Sequence, residues 1–180
     1  VVVGGHSPIK GLSYLLGAVR LLRREMELKL TVVGGSPDGR YSSGLVKEYG
    51  LEDMVTFTGR VSDEELVRRY SASEVAVVPS LYEGFGFPAA EAMSCGVPVI
   101  STTAGALPEV VGPDGEAGML VPPGDSDALA AAIRRLMIDD LLKKKMGVAA
   151  RKRVEANFTW EEAAKKTVAV YEELLPDAHH

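Results

Sequence analysis

The chain has 180 residues, of which 46% are apolar and 25% are charged, an ordinary balance for one globular domain. Its formal net charge of −5 argues against sequence-independent binding of nucleic acid, which needs a basic surface. Apolar runs are far shorter than the roughly 20 residues of a membrane-spanning helix, there is no signal-peptide pattern, and one cysteine excludes an internal disulfide. We therefore expect a cytoplasmic protein without a transmembrane segment.

Six short apolar runs alternate along the chain with segments of helical period. The predicted strands are VVVG at 1–4, LTVVG at 30–34, MVTFTG at 54–59, EVAVVPS at 74–80, VPVIST at 97–102 and GMLVP at 118–122. Their consecutive apolar positions are typical of strands that are covered on both faces. Alternating strands and helices predict an α/β fold, a doubly wound, Rossmann-like parallel sheet built from right-handed βαβ units.

The helices between and after these strands have separate signals. After the first strand, apolar residues recur at helical spacing and predict an amphipathic helix; they are Leu12, Leu15, Leu16, Val19 and Leu22. Ser62 and Glu65 form the pattern of a capped helix start. From Ser126 onward the spacing predicts extra C-terminal helices, with a break near 157–159. Trp160 is predicted to anchor the last helix against the domain.

Ligands of a doubly wound sheet bind on the loops beyond the carboxyl ends of its strands. The loops after the first four predicted strands all combine glycine with charged or hydroxyl side chains. They read GGHSPIKG, GGSPDGR, FTGRVS and PSLYEGFGFP. We expect these four loops to line one cleft.

The last of these loops places two carboxylates on either side of a helix start. Glu83 precedes Gly84 and Gly86, which allow close approach of a ligand to the backbone, and Pro88 suits the first position of a helix. N–H groups at such a start can bind phosphate, and the carboxylates of Glu83 and Glu91 can accept hydrogen bonds from vicinal hydroxyls. In the alternative interpretation, Glu91 only complements the helix dipole and Glu83 is a solvated loop acid.

The stretch SLYEGFGFPAAEAMSCG resembles the two-glutamate motif of the retaining glycosyltransferases of family 4 (group 1), whose GT-B fold pairs two Rossmann-like domains. Further similar segments cover nearly the whole chain, among them PIKGLSYLLGAVRLL, VTFTGRVSDEELVRRYSASEVAVVPS and GALPEVVGPDGEAGMLVPPGDSDALAAAIRRLM. The resemblance implies that residues 1–178 are the nucleotide-sugar-binding C-terminal half and that the acceptor-binding N-terminal domain is absent. We interpret 179–180 as remnants of a purification tag.

The resemblance also implies roles for individual residues. Glu83 and Lys10 are the implied catalytic residues: Glu83 contacts hydroxyls of the donor sugar near the reacting carbon, and Lys10 neutralises the diphosphate. Glu91 binds the ribose hydroxyls, and Arg60 lies beside the nucleobase. The remaining implied donor-binding residues are Gly5, Gly84, Phe85, Gly86 and Phe87.

One position departs from the family pattern. The family commonly has an arginine five residues before the lysine, but this chain has Gly5 there, after Gly4. His6 is a poor substitute, because an exposed histidine is mostly neutral near pH 7. Either the leaving group is stabilised in another way or the donor differs from the usual one. Lys10 as a merely solvated lysine at a helix start remains an alternative.

The expected function is donor binding in a retaining glycosyltransferase that transfers a hexosyl group from a nucleoside diphosphate sugar, without a cofactor or a metal. Isolated, the domain should be inactive or nearly so. Expected partners are the nucleoside diphosphate sugar and the missing N-terminal domain, which could also attach the protein to the inner face of a membrane. The exposed interdomain face is expected to drive self-association. The alternatives are a non-catalytic sugar-nucleotide-binding module and another GT-B enzyme, such as a sugar-nucleotide epimerase.

Overall fold

The computed structural model describes residues 1–4, 7–34 and 40–174, with only the backbone described at Val3, Arg40 and Tyr41. Gly5 and His6 lie outside the described residues, and so do 35–39 of the predicted second loop and the C-terminal 175–180.

Six strands form where the six apolar runs predict them. They are β1 (Val2–Val3), β2 (Leu30–Val33), β3 (Val55–Gly59), β4 (Ala76–Val78), β5 (Val99–Thr102) and β6 (Gly118–Val121). β1, β2 and β3 pair in parallel in that order, and β4, β5 and β6 do the same. A hydrogen bond of 2.9 Å from the Val77 N–H to the Val1 carbonyl places β4 beside β1. The resulting order 3-2-1-4-5-6 is that of a doubly wound sheet, so the predicted fold class is confirmed.

Helices connect and cover the strands. They are a 3-10 helix (Pro8–Lys10), α1 (Leu12–Leu22), α2 (Arg40–Tyr49), α3 (Asp63–Ser71), α4 (Phe87–Ser94), α5 (Leu107–Val111), α6 (Ser126–Ile138), α7 (Asp140–Asn157) and α8 (Trp160–Leu174). The five apolar residues at helical spacing in α1 are buried as predicted. The Ser62 hydroxyl caps α3 by accepting from the Glu65 N–H at 3.3 Å, whereas the Glu65 carboxylate pairs with Arg68 and Arg69.

Two hydrophobic clusters pack on opposite faces of the sheet. In β4, Val77 belongs to the cluster with α1 and α6, whereas Ala76 and Val78 belong to the cluster with α4 and α5. β5 shows the same alternation, since Ile100 faces the first cluster and Val99 the second. Successive side chains of a strand point to opposite faces, so two covered faces require apolar residues at every position.

The C-terminal helices confirm one prediction and correct another. The predicted break lies between the end of α7 at Asn157 and the start of α8 at Trp160. Trp160 does not anchor α8, because 93% of the residue is exposed. α8 packs against α7 and buries none of its own residues, so its first turn has no pocket for the indole ring. No helix in the described part of the chain combines the length and apolarity needed to cross a bilayer.

Candidate functional site

Glu83 lies in a compact polar network after β4. Its Oε2 accepts from the Lys10 ammonium at 2.8 Å and from the Ser80 hydroxyl at 3.1 Å. The Glu83 side chain is only 13% exposed, and Ser80 is buried. These contacts contradict the alternative in which Glu83 is a solvated loop acid. Ser80 was not among the predicted site residues, although it is the last residue of the predicted run 74–80 and belongs to the loop PSLYEGFGFP.

Lys10 reaches this network from the loop after β1. It is the last residue of the 3-10 helix and is separated from α1 by Gly11, and its contact with Glu83 contradicts the alternative of a merely solvated lysine. Its ion pair with Glu83 joins the loop after β1 to the loop after β4. The Leu81 N–H reinforces this junction by donating to the Ile9 carbonyl at 2.7 Å. Two of the four predicted loops therefore meet as expected.

The ion pair between Lys10 and Glu83 lies where a doubly wound sheet binds its ligands. β1 and β4 are neighbours from which the chain proceeds in opposite directions across the sheet, through β2 and β3 on one side and through β5 and β6 on the other. At such a switch point the helices that follow the two strands, here α1 and α4, lie on opposite faces of the sheet, and ligands bind in the crevice beyond the carboxyl ends of the strands. A cation and a carboxylate are thus both available at this crevice.

The glycine loop turns directly into α4. Gly86 caps the helix with a φ of +101°, and a Cβ at this position would lie 2.7 Å from the Leu107 Cδ2. α4 begins at Phe87, so Pro88 is its second residue and not its first as predicted. Pro88 has no N–H and the Ala89 N–H donates to the Gly86 carbonyl at 2.9 Å, so the donors that this helix start can offer an anion lie before Pro88.

The aromatic residues of this loop form a short chain of contacts. The rings of Phe85 and Phe87 are 4.8 Å apart, and Phe85 meets the edge of Phe158 at 5.8 Å. Phe158 lies between α7 and α8, so these rings connect the glycine loop to the start of the C-terminal helix. Phe87 is 67% exposed. A Cβ added at Gly84 would likewise have no neighbouring atom within 4 Å. The outer face of the loop is therefore open.

The backbone of Glu83 is fixed from a third loop, after β5. Its carbonyl accepts from the Ala106 N–H at 3.1 Å. Gly105 has a φ of +58°, and a Cβ there would lie 2.1 Å from the Glu83 carbonyl oxygen. The buried Thr102 hydroxyl donates to the Ser80 carbonyl at 2.6 Å. The sequence analysis missed this support, because only the fold brings the loop after β5 beside Glu83.

Glu91 has a different partner. The Tyr70 hydroxyl, at the end of α3, donates to Glu91 Oε2 at 3.0 Å and lies 3.3 Å from the Pro88 carbonyl oxygen. Tyr70 is only 1% exposed, and burial together with the negative charge of Glu91 raises the pKa of its phenol. Glu91 is therefore held by a neutral donor, and it is the fifth residue of α4, beyond the first turn in which an acid best complements the helix dipole. That Glu83 and Glu91 bind one ligand stays a prediction.

The remaining predicted site residues lie farther along the sheet edge or outside the described part. Arg60 is exposed and follows β3, whose Gly59 carbonyl accepts from the Gly34 N–H at 2.9 Å. Three strand spacings separate β3 from β4, or about 14 Å. The role of Arg60 beside a nucleobase stays a prediction, and the position of Gly5 is not among the described residues.

A cavity of about 460 Å³ lies at the opposite edge of the sheet. Its lining includes Val1, Leu30 and Val75, which stand at the amino ends of β1, β2 and β4. Ligands of doubly wound sheets bind at the carboxyl ends, and both the lysine and the two glutamates lie there. We therefore place the candidate site in the open crevice and not in this cavity.

No group of three or more His, Cys, Asp and Glu side chains in the described part of the chain could hold a metal ion. The predicted independence from metals and cofactors remains a prediction.

Comparison with known proteins identifies relatives over most of the chain. The family model described as glycosyl transferases group 1 matches residues 1–153. An MMP alpha-(1->4)-mannosyltransferase of Mycolicibacterium hassiacum is 44% identical over 174 residues, which are 97% of this chain and 42% of that protein. The chain thus spans less than half the length of this curated relative.

Solved structures of glycosyltransferases have the same fold. Sucrose-phosphate synthase from Thermosynechococcus elongatus is 40% identical, with a TM-score of 0.85 over 98% of this chain and 46% of that one. Anabaena Alr3699/HepE, solved in complex with UDP-glucose, is 26% identical, with a TM-score of 0.82 over 96% of this chain and 48% of that one. These neighbours are GT-B enzymes, and this chain has the fold of one half of such an enzyme.

Proposed function

The chain belongs to the family of glycosyl transferases group 1, and on that premise we propose that residues 1–178 are the donor-binding domain of a retaining family 4 glycosyltransferase. Its substrate is a nucleoside diphosphate sugar, whose glycosyl group passes to an acceptor. One observation supports the proposal above all others: the ion pair of Lys10 and Glu83 lies at the switch point, beside the start of α4. The related protein solved with UDP-glucose adds support for this class of donor.

The chemistry of the crevice suits the two ends of such a donor. A diphosphate requires positive charge and hydrogen-bond donors, which Lys10 and the N–H groups that precede Pro88 at the start of α4 can supply. Sugar hydroxyls require acceptors, and the Glu83 carboxylate is one. An ammonium group has three hydrogen-bond donors. Lys10 can therefore bind a phosphate oxygen while it keeps its contact with Glu83, and the pair need not separate completely.

In the proposed reaction, the bond between the anomeric carbon and the phosphate oxygen breaks, and both electrons leave with the nucleoside diphosphate. Lys10 and the start of α4 stabilise that charge as it develops. The acceptor oxygen attacks from the face that the diphosphate leaves, and a departing phosphate oxygen takes its proton. The configuration at the anomeric carbon is thereby retained, and the chain needs no general base of its own.

Two features limit what this chain does alone. Gly5 stands where the family commonly has an arginine, so Lys10 and the helix start provide the leaving-group stabilisation without a cation at that position. The relatives are about twice as long as this chain, which leaves room in them for an acceptor-binding domain. We therefore expect the 180 residues to bind the donor nucleotide but to transfer little or no sugar.

Isothermal titration calorimetry with UDP, GDP and ADP tests the proposal directly. We expect at least one of them to release or absorb heat with a one-to-one stoichiometry. A flat response to all three nucleotides, from protein that circular dichroism shows to be folded, would contradict the proposed function.

Gly5 favours one further candidate, a module that binds a sugar nucleotide without turning it over. A longer protein that contains this chain and an acceptor domain separates the two possibilities. Release of labelled sugar from the donor, above a Lys10→Met control, indicates an enzyme. Binding without release indicates the non-catalytic module.

A further inference from the structure

We infer that Tyr70 is a positioning residue, which orients the Glu91 carboxylate for the ribose hydroxyls of the donor. The inference rests on the proposed function, because it requires a ribonucleotide in the crevice. Tyr70 is 21 positions away from Glu91 in the chain and belongs to a different helix.

Packing in the core fixes the position of the Tyr70 ring. Its ring is packed in the core cluster that also contains Ala89, Ala92 and Met93 of α4. With the ring fixed there, the hydroxyl reaches both Glu91 Oε2, at 3.0 Å, and the Pro88 carbonyl, at 3.3 Å. A tyrosine has few rotatable bonds, so a buried ring places its hydroxyl with little freedom.

This contact changes what the Glu91 carboxylate can do. A glutamate on a helix surface has several rotamers of similar energy, and binding a ligand in one of them loses side-chain entropy. The Tyr70 hydroxyl selects a rotamer before the ligand arrives. It engages Oε2, which leaves Oε1 for a ribose hydroxyl. Because its phenol is neutral, Tyr70 also leaves the negative charge of Glu91 uncompensated, so that the carboxylate remains a strong acceptor.

A purely structural role predicts something different. If the Tyr70 hydroxyl served only to tie α3 to the Pro88 carbonyl, its removal would affect stability, or would weaken all ligands of the crevice equally. A positioning role predicts a loss that depends on the ribose hydroxyls. The two explanations can therefore be separated by changing the ligand together with the protein.

The experiment titrates wild type and Tyr70→Phe with UDP, GDP and ADP and with their 2′,3′-dideoxy counterparts. Tyr70→Phe keeps the buried ring and removes only the hydroxyl. We expect wild type to bind the ribonucleotide more tightly than the dideoxynucleotide. Tyr70→Phe should weaken the ribonucleotide by up to about tenfold, the size expected when one glutamate side chain must be ordered by the ligand, and leave the dideoxynucleotide unchanged. Tyr171→Phe, which alters an exposed tyrosine of α8, should change neither affinity.

A second variant completes the test. Glu91→Ala removes the carboxylate that Tyr70 orients, so it should also weaken only the ribonucleotide. The double variant Tyr70→Phe with Glu91→Ala should be little weaker than Glu91→Ala alone, because Tyr70 acts through Glu91. Additive losses would overturn the inference, as would an equal loss for both kinds of nucleotide or no loss at all.

These results also distinguish the inference from the proposal on which it rests. If folded wild type binds none of the six nucleotides, the proposed function fails and the inference fails with it. If wild type binds but does not discriminate ribose from dideoxyribose, or if Tyr70→Phe discriminates as well as wild type, only the inference fails. Thermal melts of each variant show that the affinities were measured on folded protein.

Discussion

The loop around Glu83 and the first turns of α4 around Glu91 hold their carboxylates by different means. Glu83 lies on a loop and is fixed twice, by Lys10 and Ser80 at its side chain and by Ala106 at its carbonyl. Glu91 lies on a helix, which fixes its backbone, and its side chain is held by the Tyr70 hydroxyl. A loop needs extensive tertiary support to place a functional group, whereas a helix needs only a contact that selects the rotamer.

The two carboxylates also differ in charge compensation. The negative charge of Glu83 faces an ammonium group at 2.8 Å, while that of Glu91 faces a neutral hydroxyl. The Glu83 region therefore offers a diphosphate a cation next to a sugar-binding acceptor. The Glu91 region offers a polar ligand an acceptor alone, which suits a pair of hydroxyls. Variants that affect one region and not the other test this difference.

The largest effect should come from the backbone support of Glu83. Gly105→Ala introduces a Cβ only 2.1 Å from the Glu83 carbonyl, at a φ of +58°. We expect the free energy of unfolding in urea to fall by about 3 kcal/mol, since strain and a steric clash both contribute. Gly115→Ala is the matched control: the φ of Gly115 is +84°, but an added Cβ would have no neighbouring atom within 4 Å. It should cost about 1 kcal/mol, from strain alone. Equal losses would mean that the contact with Glu83 does not support the loop.

The next effect concerns the cation. Lys10→Met keeps the length of the side chain and removes its charge, and we expect nucleoside diphosphates to bind about thirtyfold more weakly, or by about 2 kcal/mol. The discrimination of ribose from dideoxyribose should persist, because Glu91 and Tyr70 are unchanged. Calorimetric titration measures both quantities. Lys47→Met, on the exposed side of α2, controls for the loss of one positive charge from the chain. Loss of the ribose preference in Lys10→Met would show that the two regions are coupled.

The smallest effect should come from Ser80→Ala. The variant removes one of the two donors to Glu83 Oε2 and leaves Lys10 in place, so we expect the free energy of unfolding to fall by about 1 kcal/mol. Binding of UDP or GDP should not change, whereas binding of the corresponding sugar nucleotide should weaken, because Glu83 faces the sugar in the proposed complex. Ser71→Ala, at an exposed position of α3, should change neither measurement. A weaker affinity for the free diphosphate would mean that Ser80 supports Lys10 rather than Glu83.

The strands could be predicted from the sequence, and the family resemblance named Lys10 and Glu83, but their ion pair and some of the connecting helices were not predicted. Strands covered on both faces have apolar residues at consecutive positions, which is a local signal. α2 (Arg40–Tyr49) has no comparable run of apolar residues, because it is a polar helix whose buried residues include Val46 and Ser42. α5 (Leu107–Val111) is five residues long and contains Pro108, so it does not repeat a helical period.

The partners of the glutamates were harder to predict than the glutamates themselves. Tyr70 stands one helical turn after Leu66, and this spacing indicates a buried ring. Nothing local indicates that the hydroxyl would reach Glu91 on another helix. Trp160 shows the opposite error: a large aromatic residue favours burial, but α8 offers its ring no neighbouring surface within the described part of the chain. Burial depends on what lies opposite a side chain, and that is decided by the fold.

The strand order also bears on how the molecule folds. β1, β2 and β3 all lie within the first 59 residues, so that half of the sheet can assemble from short-range pairings. The contact of Lys10 with Glu83 closes a loop of 73 positions, and long loops lose more chain entropy on closure than short ones. We therefore expect each half of the sheet to form early and the contact between them to form late. A nascent chain would then complete the proposed nucleotide site only in the final step of folding.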